Sequence, residues 1–273
     1  MSPRDETRLD RARRLHLGRV ACSNMIIPII FVIAALMLGW VGVQVVRTRR
    51  FPARDKVFLI TGGSRGLGLV LAREICRRGG KVSILARNME ELGWAEDDLK
   101  KRGGTVLAIA CDLQQQPHIE AAVRRTAEYF GRIDVLINNA GIIQVGPLDH
   151  MKRTDFEQSL GLHFWAPYQL TMQVLPHMRK QGGGRIVNIS SIGGRVAVPH
   201  LSPYCVGKFA LTGISDSVRA ELARDKIYVT TVCPGLMRTG SHVNAQFKGD
   251  HDAEFAWFAA ASGLPFISMS AER

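Results

Sequence analysis

Six short runs of nearly unbroken Val, Ile and Leu limit the folds open to this chain. They are KVFLIT (56–61), KVSILA (81–86), TVLAIAC (105–111), IDVLINNAG (133–141), GRIVNISS (184–191) and YVTTVCPG (228–235). Helix-patterned segments lie between them, including LGLVLAREICRRGG, closed by Gly79 and Gly80, and IEAAVRRTAEYFG. A strand that is apolar on both faces needs cover on both faces, and helices alternating with such strands provide it. The expectation is a Rossmann-like, doubly wound parallel α/β sheet in a single domain over 56–273. One long helix is expected over about 154–180 and another around 204–224, from the patterning there.

Charge is distributed unevenly along this frame. The formal net charge is +12 at pH 7, and residues 1–56 alone hold eleven Arg and Lys against four Asp and Glu. These cations flank residues 20–46, VACSNMIIPIIFVIAALMLGWVGVQVV, in which nothing is charged. A helix of that length reaches about 40 Å, enough to cross a hydrocarbon core of about 30 Å with some tilt. The chain therefore reads as a basic tail (1–19), one transmembrane helix (20–46), a basic linker (47–55) and the α/β domain. A buried core helix is the alternative for 20–46. The clustered cations suit membrane lipid headgroups, and the lack of basic-aromatic alternation argues against nucleic acid. Arginines stand on both sides of the span, so charge bias does not orient it.

Five cysteines, at 22, 76, 111, 205 and 233, form no CxxC pair. Neither a disulfide framework nor a metal site is expected, and scattered thiols suit a reducing compartment. No obvious His-acid pair partners a serine, which argues against serine hydrolysis.

TGGSRGLG (61–68) stands where the first strand turns into the first helix. Glycines at 62, 66 and 68 let the backbone turn tightly and approach a pyrophosphate, which a helix N-terminus attracts. The intervening Ser64, Arg65 and Leu67 belong to the same binding turn. The second strand ends ILARN, with Ala86 where an acid would bind a ribose 2′-hydroxyl and Arg87 beside it. Two guanidiniums, Arg65 and Arg87, and no carboxylate favour NADP(H), through charge-assisted bonds to a 2′-phosphate.

The GxxxGxG spacing resembles the short-chain dehydrogenase/reductase superfamily in its classical form, over residues 56–240. CDL (111–113), NNAG (138–141), GRIVNISS (184–191), YCVGK (204–208) and CPGLMRT (233–239) follow in the family's order. The resemblance implies an oxidoreductase in which Asp112 and Leu113 meet the adenine and Asn138 stabilises the central sheet. It also implies that Asn139, Ala140 and Gly141 pass the ribose, and that Pro234, Gly235 and Thr239 border the nicotinamide. Proteins of the family continue with a further helix and strand. Only 34 residues follow Thr239, so the C-terminal edge strand is expected to be missing.

Tyr204 and Lys208 stand one helical turn apart. A free phenol titrates near ~10 and is a poor base at neutral pH, so an ammonium beside it favours phenolate. Tyr204 is the expected general acid/base and Lys208 its tuning cation; the resemblance also places Lys208 and Tyr204 on the cofactor. Ser191, thirteen residues before Tyr204, is expected to hold the substrate oxygen, with Ser190 turned away by strand alternation. Where the family carries an Asn that relays protons through water, this chain has His163, a departure whose imidazole can also donate and accept. His163 is counted with Ser191, Tyr204 and Lys208 as an expected catalytic residue. The expected walls, Ile143, Val145, Leu148, Ile192, Val196, Val198 and Met237, are apolar.

A lipophilic alcohol or ketone is the expected substrate, and a second copy of the chain a further candidate partner. Because NADP(H) is supplied in the cytosol, a single-pass membrane protein with its domain facing the cytoplasm is expected. The competing reading is a catalytically weak nucleotide-binding protein of the same fold.

Overall fold

In the computed structural model, which describes residues 31–42, 51–238, 240–263 and 268–270, each of the six apolar runs becomes a strand of one sheet. Residues 31–42 form helix α1, within the first of two units, Met1–Pro52. Its apolar side chains, Phe31, Leu36, Leu38 and Trp40 among them, are exposed. Among the described residues no helix is long and apolar enough to cross a membrane. Of the segment 20–46 expected to span a membrane, only residues 31–42 are described, and they do not show a span; the rest of it lies outside the described residues.

The second unit, Ala53–Arg273, alternates strand and helix. β1 (Val57–Thr61), α2 (Gly66–Arg77), β2 (Lys81–Ala86), α3 (Met89–Lys101) and β3 (Thr105–Ala110) build one half. The other half is α4 (Gln116–Phe130), β4 (Val135–Asn138), α5 (Arg153–Leu160), α6 (Ala166–Lys180), β6 (Gly184–Ile189), α7 (Ser202–Ala223) and β7 (Ile227–Val232). The six strands are parallel in the order β3-β2-β1-β4-β6-β7. The chain leaves β1 towards β2 and later returns to its other side as β4. Loops after β1 and β4 therefore diverge and open a crevice at the strands' C-terminal ends.

Every residue of β1 and β4 is buried. Leu59, Leu85, Ile119, Leu136, Leu170, Met178 and Ile186 form the main core against α4 and α6. Across the sheet's centre, Asn138 Nδ2 donates to Asn188 Oδ1 and Asn188 Nδ2 to Ser215 Oγ, both at 2.7 Å. Ser215 Oγ in turn donates to Leu211 O at 2.6 Å, so this buried polar line ties β4, β6 and α7 together.

One expectation changes. The single helix over 154–180 is broken, because Gly161–Trp165 forms a π-helical turn between α5 and α6. Such a turn adds a residue to the helical repeat and swings His163 to the buried side. The C-terminal stretch makes small pairings of its own. β5 (Gln144–Val145) pairs with β9 (Gln246–Phe247), α8 (His251–Gly263) follows, and β10 (Ser268–Ser270) pairs with β8 (Leu236–Arg238). None of these joins the main sheet, in which β7 is the edge.

At the opposite end of the strands, buried Asp134 joins the β1 and β4 entries. It accepts from the Val57 N–H at 3.0 Å, from Arg132 at 2.7 and 2.6 Å, and from Lys56 Nζ at 3.2 Å. Burial opposes the charge, but Arg132, the Val57 N–H and Lys56 outweigh it and hold the carboxyl below its ordinary value. A lowered carboxyl pKa contributes stability that is complete above the unfolded value of about 3.9 and disappears as pH falls through the folded one. Asp134→Asn should therefore cost about 2–3 kcal/mol in urea unfolding at pH 7. That deficit should shrink towards pH 3, and a constant deficit across the range would contradict the assignment.

Candidate active site

The glycine turn leaves β1 and sits on the end of β2, where the Gly62 and Gly63 N–H groups donate to Leu85 O at 2.8 and 3.2 Å. Gly62 (φ 65°) and Gly66 (φ 53°) take left-handed backbone that a side chain would strain. A Cβ on Gly68 would collide with Gly62 O, so the bare α-carbon is what lets α2 pack against the turn. Thr61 Oγ1 accepts from the Asn139 and Ala140 N–H groups at 2.9 and 3.0 Å. Asn139 Nδ2 returns to Thr61 O and Gly62 O at 2.9 and 3.2 Å. These bonds join the two lips of the crevice. Thr61 is absent from the expected site residues; its signal was a hydroxyl ending an otherwise apolar strand.

This cradle fits a dinucleotide. Arg65 at the N-cap of α2 makes no side-chain cap, so the first N–H groups of the helix face the turn for an anion such as a pyrophosphate. Leu67 is half-buried behind it. Ser64 and Arg65 are differently engaged from the expectation. Ser64 Oγ donates to Glu91 Oε2 at 3.1 Å and Arg65 Nη1 to Glu91 Oε1 at 2.8 Å. Arg87, the residue after β2, is exposed. A carboxylate therefore stands by this pocket after all, supplied from the first turn of α3 and not from the end of β2.

Further along the crevice, Asp112 Oδ1 accepts from the Gln114 N–H at 3.1 Å, and Leu113 is buried in the core. Pro234 O accepts from the Ile192 N–H at 2.8 Å, binding the β7 loop to the loop after Ser191. A Cβ on Gly235 would meet open space. Thr239 lies outside the described residues.

Ser191, Tyr204 and Lys208 converge where β6 ends and α7 begins. Ser191 Oγ accepts from the Gly193 N–H at 3.1 Å, and the side chain lies close enough to Tyr204 to favour its phenolate. Ser190 faces away, its hydroxyl meeting Thr212 Oγ1 at 2.8 Å and Lys208 O at 3.2 Å. Lys208 Nζ is buried, 5.7 Å from the centre of the Tyr204 ring, and donates to Ile189 O at 2.8 Å. An ammonium has three donors, and this one has no second hydrogen-bond partner among the described residues, which suits a ribose hydroxyl.

Burial pushes the Lys208 amine down to about 8. Burial also raises the Tyr204 phenol above its ordinary value, and the Ser191 side chain offsets only part of this. The expected lowering by Lys208 is therefore not the balance found. The physical reason is desolvation, which penalises phenolate more than these neighbours favour it.

His163 is fully buried and held well below its ordinary pKa by burial and by Lys208. Its Nε2 accepts from the Ile142 N–H at 3.3 Å, which leaves the ring proton on Nδ1, 3.1 Å from Ser159 Oγ. Ser159 Oγ donates onward to Pro203 O at 2.6 Å, next to Tyr204. The imidazole lies edge-on to the Tyr204 ring, centroids 5.5 Å apart. Both of its nitrogens are thus taken, and neither bond goes to Lys208.

Ile143, Val145 and Val198 pack with Leu201, Cys205, Tyr204 and Phe258 of α8 beside the phenol. Met237 is half-buried, whereas Leu148, Ile192 and Val196 are exposed.

The fold and this site define a class of protein, and comparison with known proteins agrees. Residues 56–248 match the short chain dehydrogenase family. The chain belongs to that family, and it is an oxidoreductase with a nicotinamide-dinucleotide fold. It is 36% identical over 219 residues to an uncharacterized oxidoreductase of Thermotoga maritima, covering 80% of this chain and 86% of that one. It spans 56% of the length of the 35%-identical oxidoreductase of Mycobacterium bovis. Among solved structures it is similar to a point variant of actinorhodin polyketide ketoreductase with NADPH, at TM-score 0.70 and 31% identity, over 80% of this chain and 86% of that one. An NAD+-bound xylitol dehydrogenase is also similar, at TM-score 0.66 and 29% identity, over 68% and 72% of the two chains.

Gly207, between Tyr204 and Lys208, allows α7 to approach His163. A Cβ there would lie 2.7 Å from Ser159 Oγ and 2.8 Å from His163 Nδ1. In an exposed helix, Gly→Ala stabilises by about 1 kcal/mol through backbone entropy. Here overpacking should win, and Gly207→Ala should destabilise by about 1–3 kcal/mol. Calorimetry decides it: a raised Tm would show that the contact is not as tight as described.

Proposed function

We propose that the protein is a membrane-anchored, NADP(H)-dependent oxidoreductase that interconverts a lipophilic alcohol and its carbonyl compound. One observation carries the chemistry: the Ser191 and Tyr204 side chains converge beside a buried Lys208 ammonium, at the mouth of a dinucleotide cradle.

The reduced nicotinamide, when bound, supplies the hydride to the carbonyl carbon. Tyr204 gives its hydroxyl proton to the carbonyl oxygen, and in the reverse direction takes it back. A buried phenol with a raised pKa is held protonated, which suits the acid role in reduction. Ser191 donates to the same oxygen and stabilises the charge that develops there. Lys208 would hold the ribose hydroxyls with its remaining donors and favour phenolate during oxidation. On this reading His163 is a positioning residue, setting the Tyr204 ring through Ser159 and Pro203. Arg65 and Arg87 would hold the 2′-phosphate. Gly62, Ser64, Gly66, Leu67, Gly68, Asp112, Leu113, Asn139, Ala140, Gly141, Pro234, Gly235 and Thr239 would line the dinucleotide.

Tyr204→Phe should reduce turnover of an apolar ketone to near zero with NADPH affinity unchanged. Ser191→Ala should lower turnover by about 10²–10³-fold. Full activity in Tyr204→Phe would end the dehydrogenase reading.

Anchoring rests on the uncharged run 20–46 and on the exposed apolar side chains of α1. The domain would face the cytoplasm, where NADP(H) and reduced thiols are found. Exposed Trp165, Tyr168 and Met172, with Val206 and Phe209 on α7, offer apolar surface to a second copy. Protease added to sealed vesicles with their cytoplasmic face outward should digest residues 56–273 and spare the span. Protection of the domain would overturn that orientation.

A further inference from the structure

Glu91 stands where an arginine pair was expected to act without opposition. The turn that carries Ser64 and Arg65 is seated on the end of β2 through Leu85 O. The end of β2 is the place from which an α/β dinucleotide fold addresses the adenosine ribose 2′-position. Glu91 reaches this place from α3 and engages both turn residues, one carboxylate oxygen on Arg65 at 2.8 Å and the other on Ser64 at 3.1 Å. The carboxylate is 26% exposed and the guanidinium 58%, so the pair remains open to a competing anion.

The charges around it do not favour an added phosphate as strongly as two arginines would. Arg65 and Arg87 are opposed by Glu91 and by Glu90 in the same helical turn. The N–H groups of Glu90 and Glu91, which would otherwise attract an anion, are taken by Asn88 Oδ1 at 2.9 and 3.1 Å. An incoming 2′-phosphate must therefore displace Glu91 from Arg65 and then lie beside its freed carboxylate. A 2′-hydroxyl need do neither.

We propose that Glu91 is a coenzyme-specificity residue: by occupying Arg65 it caps the preference for NADP(H) over NAD(H). The proposal rests on the reading of Arg65 as a 2′-phosphate ligand. Glu91→Gln removes the competing charge but keeps an oxygen for Ser64, and Asn88 continues to cap α3.

The test is equilibrium binding of NADPH and of NADH, followed by nucleotide fluorescence without substrate, to the unmutated chain, Glu91→Gln, Arg65→Gln and the double variant. Glu91→Gln should tighten NADPH about tenfold, the effect of one relieved charge contact, and should change NADH less than about threefold. In the Arg65→Gln background the same change should tighten NADPH by no more than about threefold, because the competition it relieves is for that guanidinium. Weakening of NADPH by Glu91→Gln would make Glu91 a strut that orients Arg65, and would overturn the proposal. Equal tightening of NADPH and NADH would overturn it too, since the effect would then lie on the shared pyrophosphate. If Arg65→Gln weakens NADPH while Glu91→Gln does nothing, the proposal alone fails. If Arg65→Gln leaves NADPH unchanged, the reading beneath it fails as well.

Discussion

Thr61 closes the sheet at the point where it must open. Parallel strands β1 and β4 are neighbours, yet the segments that follow them run to opposite faces, leaving backbone N–H groups at the fork without ladder partners. Buried groups of that kind need acceptors. The Thr61 hydroxyl takes the Asn139 and Ala140 N–H groups, and the Asn139 amide takes the two carbonyls opposite. With the fork braced in this way, the glycine turn and the NNAG turn hold a fixed separation. The dinucleotide cradle, and everything set against it, depends on that separation.

The Tyr204 end of the crevice works against its own solvation. Lys208, His163 and Tyr204 are titratable groups withdrawn from water within one small volume, and burial pushes each towards its neutral form. The fold answers with directed hydrogen bonds, Ile189 O for the amine and Ser159 and the Ile142 N–H for the imidazole, and sets Ser191 beside the phenol. Glycines at 141 and 207 let these groups come together, since a Cβ on either would lie 2.7 Å from a polar atom of that cluster. Close packing and polar satisfaction are here one requirement.

The C-terminal segment serves this end as well. α8 places Phe258 against Val145, Leu201 and Cys205, and buried Glu254 meets His200 at 2.8 Å just before α7. Lys248 pairs with Asp155 of α5 at 2.9 Å. α8 thus packs on the phenol's side of the crevice, and β7 is an edge of the six-stranded sheet.

Local rules were enough for much of this protein. Apolar runs and helical patterning determined the strands, their parallel pairing and the order of the motifs, because burial on both faces admits few other residues. The spacing of Tyr204 and Lys208, the Ser190/Ser191 alternation and the glycine turn were legible for the same reason: each is set by a repeat of a few residues. Tertiary structure decided what depends on distant partners. His163 sits in a π-turn, its proton placed by Ser159 and Ile142. Tyr204 is raised by burial in spite of Lys208. Glu91 occupies Arg65 from 26 positions away. Charge and proton position follow from distances in space and from desolvation, and neither quantity is written in the order of residues along a chain.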